Sequence, residues 1–160
     1  MTTSTAARRS FSLPSAPVLV GGVYAICVLG LIAVFLGEIA FSDKDPHRSE
    51  GPIASIIGVG TFGTAALVLG VGLALWLVRT PDRARVGALL LGALSVVTLP
   101  VFWSGAPGVF GACAAWLAGL TRDGRPLDGA ARAAGIVGAF VVLLNVVVTV
   151  GGVLVSGIAG

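Results

Sequence analysis

The chain has 160 residues, of which 56% are hydrophobic and 11% charged, with a formal net charge of +3 and a mean hydropathy of +1.04. Soluble domains carry about 25% charged residues, because polar groups must cover a surface in water; this chain cannot do so. The basic residues are spread over separate short segments and make no continuous face, so nucleic acid is excluded as an expected partner.

Residues 1–16 are rich in Ser, Thr, Ala and Pro, with Arg8 and Arg9 as their only charges, and read as a flexible tail. The rest, 17–160, reads as one transmembrane helical domain. Its first helix is expected over 17–39, with Tyr24 and Cys27 inside it and Glu38 near its far end. A basic start followed by an apolar run also resembles a secretory signal. The run is longer than the usual apolar core of such a signal, and an uncleaved helix is the expectation.

An acidic loop follows, holding Asp43, Asp45, His47 and Glu50. Its spacing matches no compact metal motif, and Pro46 constrains it, so a solvated surface is expected. Glu38 and His47 are retained as candidate interface or outer-loop residues. A second helix is expected over 53–78, with Trp76 near its end, where an indole can meet headgroups. The segment 79–83 reads as a tight polar turn.

The longest uncharged stretch is residues 86–121. As one helix it would reach roughly 54 Å, against a bilayer core of roughly 30 Å. Ser104-Gly105-Ala106-Pro107-Gly108 supplies a turn, so two elements are expected, 84–103 and 107–120. Pro100 removes a backbone donor and should kink or end the first. Pro100, Gly105, Pro107 and Gly108 form the predicted hairpin. The second element is only about 21 Å long. The segment therefore either crosses twice or forms a re-entrant hairpin that returns to the same face, which needs protein around its broken backbone. A last helix is expected over 133–155.

The fold class that results is all-α: a polytopic transmembrane helical bundle of five spans, or three full spans plus the re-entrant hairpin. Either way, an N-terminus in the cytoplasm puts eight of the ten basic residues inside, with Lys44 and Arg48 outside. Reading 86–121 as a single crossing splits the basic residues evenly, against the positive-inside rule. A multi-pass cell-membrane protein with an extracytoplasmic C-terminus is expected.

Asn145 is the main intramembrane candidate, because an amide at mid-helix is costly unless bonded. Thr149 shares its face. Ser95, Thr98 and Tyr24 add hydroxyls. An interhelical hydrogen bond is the expected role, with a polar transport path as the alternative. Cys27 and Cys113 read as small apolar fillers. Small residues recur at intervals of four: Gly21 with Ala25, Ala33 with Gly37, Ala84-Ala88-Gly92, Gly111-Ala115-Gly119 and Ala131-Gly135-Ala139. They favour close helix packing within one chain or between chains.

No catalytic, metal or cofactor motif is apparent. The expectation is a non-enzymatic structural or accessory membrane component, partnered by the lipid bilayer and by a second copy or another membrane protein. A small transporter or channel subunit with a polar path near Asn145 is the alternative.

Overall fold

A computed structural model describes residues 15–41, 52–121 and 126–158. They form five α-helices and one 3-10 segment, with no strand among the described residues: α1 (Ala16–Phe41), α2 (Pro52–Leu77), α3 (Pro81–Val97), the 3-10 segment Leu99–Ser104, α4 (Ala106–Leu117) and α5 (Ala130–Ile158). Two of the helices, by their windows Gly60–Leu77 and Ala130–Gly152, are long and apolar enough to cross a membrane. The acidic loop with His47 lies outside the described residues. Glu38 lies on the α1 backbone, but its side chain is outside them.

Helix α3 starts earlier than the sequence suggested. Pro81 sits in its first turn, where a fixed φ suits the helix and the missing N–H loses no bond. Asp82 follows in that same turn, where it complements the helix dipole. The polar turn thus occupies residues 78–80.

The expected continuous element over 84–103 is interrupted. Helix α3 ends at Val97, and Pro100 falls at the start of the 3-10 segment, which is itself kinked at Val101 (φ −106°, ψ 38°). A proline at that point cannot donate to the preceding turn, so the α-helical ladder stops there. Gly105 then turns the chain back at φ 74°, in the left-handed region where a side chain is strained.

Helix α4 has 12 residues, about 18 Å, and it is enclosed. Residues 106–115 and Leu117 are all buried, with Val109, Ala112, Ala114 and Ala115 fully so. The other four helices pack around it. Against α5 the approach is backbone to backbone. A Cβ built on Gly111 would lie 2.4 Å from the Gly138 carbonyl oxygen, and one on Gly138 would lie 2.6 Å from that of Gly111. On the α2 side, Gly70 faces Val109 and Phe110; on the α3 side, Gly87 meets Leu77 and Leu117. Such contacts matter because lipid chains are as apolar as leucine. In a bilayer, where burial from water cannot drive helices together, close packing of this kind would have to.

The same contacts fix the level reached by the hairpin. Its tip touches Cys27 of α1 at Gly105, Gly63 of α2 at Ser104 and Asn145 of α5 at Gly108. From these points α1 runs on to Phe41, α2 back to Pro52 and α5 to Ile158. Each continues about 16–21 Å beyond the tip.

Candidate functional site

The densest polar cluster lies at that tip. Breaking the helix at Pro100 leaves carbonyl oxygens short of helical partners, and the cluster accounts for two of them. The Gly105 N–H donates to the Phe102 carbonyl at 3.1 Å, and the Ser104 hydroxyl donates to that of Val101 at 2.7 Å. The Asn145 amide, 1% exposed, donates from Nδ2 to the same Phe102 carbonyl at 2.9 Å. Its oxygen accepts from the Cys27 thiol at 3.4 Å. Thr149 stands one turn further along α5, on the same side of the helix as Asn145.

Both ends of the Asn145 amide are therefore engaged, one by the hairpin backbone and one by α1. The site needs glycine beside it. A Cβ on Gly108 would come within 2.4 Å of Val23 and 2.8 Å of the Asn145 oxygen, and one on Gly105 within 2.9 Å of the Cys27 sulfur. Gly105 and Gly108 thus let the amide and the thiol lie flat on the turn. Pro107 is buried in the first turn of α4, where the absent N–H loses nothing.

The remaining candidates do not join this cluster. The Tyr24 hydroxyl pairs with that of Thr64 at 3.0 Å, linking α1 to α2 at an exposed position. Ser95 and Thr98 bond back to the carbonyls of Gly92 and Leu94, both at 2.7 Å, which satisfies a hydroxyl without a neighbouring helix. Among the described residues, no three His, Cys, Asp or Glu side chains gather as metal ligands.

Sequence reasoning missed two participants. The sequence reads Cys27 as a filler, yet its thiol supports Asn145; a lone cysteine in an apolar run carries no signal of that role. Gly138 was not among the small-residue sets, although it stands three residues after Gly135 on a face that α4 approaches. Comparison of the chain with protein-family models, curated proteins and solved structures finds no match.

Proposed function

We propose that this chain is an integral membrane protein of three full crossings, α1, α2 and α5, around a re-entrant hairpin formed by α3, the 3-10 segment and α4. Its role is that of a non-enzymatic structural or accessory membrane component. The depth of the hairpin supports the topology. Arg132 marks the polar boundary at the start of α5, and Asn145 stands about 20 Å above it, within a core of roughly 30 Å. The tip would thus stop about 10 Å short of the opposite surface.

The segments beyond the tip reinforce this. Residues 28–41 carry Glu38 as their one charge, and 52–62 and 146–158 carry none. The first turns of such segments suit the roughly 10 Å of hydrocarbon left above the tip, and their length supports a tip that stops inside it. Position 38 on the α1 backbone falls about 16 Å past the Cys27 level, beyond the roughly 10 Å of core that remains above the tip. Enclosure of α4 answers the requirement that broken backbone at depth be shielded by protein. The distribution of basic residues supports an N-terminus in the cytoplasm and a C-terminus outside, in the cell membrane.

The single observation behind the functional reading is the Asn145 amide, buried and bonded at both ends. A polar path would need that group facing water. Here it fastens the hairpin instead. The test is a cysteine at Asn145, in a background of Cys27→Ser and Cys113→Ala, offered charged thiol reagents from each side of sealed membranes. The structural reading expects no labelling while a cysteine at Ser49 reacts from outside. Labelling at position 145 with insertion intact would overturn it in favour of a transport path.

A further inference from the structure

The α2–α3 turn carries a second cluster that the packing account does not use. Arg79, Arg83 and Arg85 are all exposed, with Asp82 the one acid among them. Among the described residues, none of the three guanidiniums makes an ion pair. Arg83 instead lies over the Trp76 ring, 5.2 Å from its centroid. That contact engages the charge of the guanidinium and leaves its N–H donors free for an oxyanion. Trp76 itself is half exposed.

The apolar surface beside this pair continues in register on both helices. On α2, Leu73 and Leu69 precede Trp76 by one and two turns; on α3, Val86 and Leu90 follow Arg83 by one and two turns. All four are exposed. A cationic head with spare donors thus sits above two rows of lipid-facing side chains that lead away from it.

We infer that this turn is a binding site for an anionic phospholipid, its phosphate held by Arg83 with Arg79 and Arg85, and its acyl chains laid along Leu69–Leu73 and Val86–Leu90. The charge selects an anionic headgroup, and the adjoining apolar rows select a lipid over a free phosphate. The inference rests on the membrane reading above, and its test separates the two.

The full chain is reconstituted in vesicles of phosphatidylcholine and phosphatidylglycerol, in a Trp103→Phe/Trp116→Phe background that leaves Trp76 as the reporter. Either lipid is supplied brominated in turn, and each quenching is referred to the unbrominated control. With basic residues worth about a fivefold preference each near an anionic surface, brominated phosphatidylglycerol should be favoured at least about fivefold. Arg79→Gln/Arg83→Gln/Arg85→Gln should bring the ratio near one, whereas Arg132→Gln, on another helix, should leave it unchanged. Soluble phosphate at millimolar concentration should not compete; competition would assign the site to a free anion and overturn the inference. Equal quenching by both lipids would overturn it too while leaving the membrane reading intact. No quenching by either would overturn both. As a check without tryptophan substitutions, the unmodified chain extracted in mild detergent should retain phosphatidylglycerol in excess of its bulk fraction, and the triple arginine variant should not.

Discussion

Gly111→Ala should open the α4–α5 contact. The new Cβ would stand 2.4 Å from the Gly138 carbonyl oxygen, where ordinary contact begins at 3.4 Å. The obstructing atom is backbone and cannot rotate away, so the helices must separate by about 1 Å. A gap of that size forfeits a quarter to a half of each dispersion well along the seam. Overpacking of this kind costs about 1–3 kcal/mol, partly offset by alanine's better helix propensity of about 1 kcal/mol. A net loss of up to about 2 kcal/mol, centred near about 1 kcal/mol, is expected, read as a lower midpoint in detergent-induced unfolding of the purified chain. Gly72→Ala is the control: its Cβ meets nothing within 4 Å, so it should be neutral or slightly stabilising. Equal stability of the two variants would refute the backbone-to-backbone contact.

Gly87→Ala meets only the flexible ends of Leu77 and Leu117 closer than 3.0 Å, so its unfolding midpoint should fall less than that of Gly111→Ala. Asn145→Ala should lose about 1–2 kcal/mol in the same assay, an intramembrane hydrogen bond of about 0.6–1.7 kcal/mol plus some packing. Gly105→Ala combines about 1–2 kcal/mol of left-handed strain with the approach to Cys27. Adding Cys27→Ala should recover only the steric part, and full recovery would show that the backbone conformation is not strained.

Helix positions were legible because charges punctuate this chain so sharply. Arg79 and Asp82 bracket one turn, and Pro100 with Gly105 marks the other. Which element the others enclose was not legible. In water, burial separates apolar from polar faces, so periodicity reveals which side packs. In lipid, both sides are apolar. Val109 and Ala112 are buried and Val147 and Leu143 are exposed, yet nothing in their chemistry distinguishes them. The enclosure of α4 therefore left only a faint trace, its short length and small side chains. Asn145 stood out as an amide among apolar residues, but its acceptor is a backbone carbonyl, and a backbone group at residue 102 has no sequence signature.

The claim that the hairpin ends within the membrane is tested most directly by depth. A spin label on Trp103→Cys, beside the tip, is compared with one on Val147→Cys, which is exposed on α5 just beyond Asn145. Both are placed in the Cys27→Ser, Cys113→Ala background, and collision with oxygen and with a water-soluble nickel complex gives immersion in a phosphatidylcholine bilayer. A re-entrant hairpin predicts that the two labels share one depth, about 10 Å below the outer surface. A Trp103 label at the headgroups would contradict it and leave a hairpin that crosses completely.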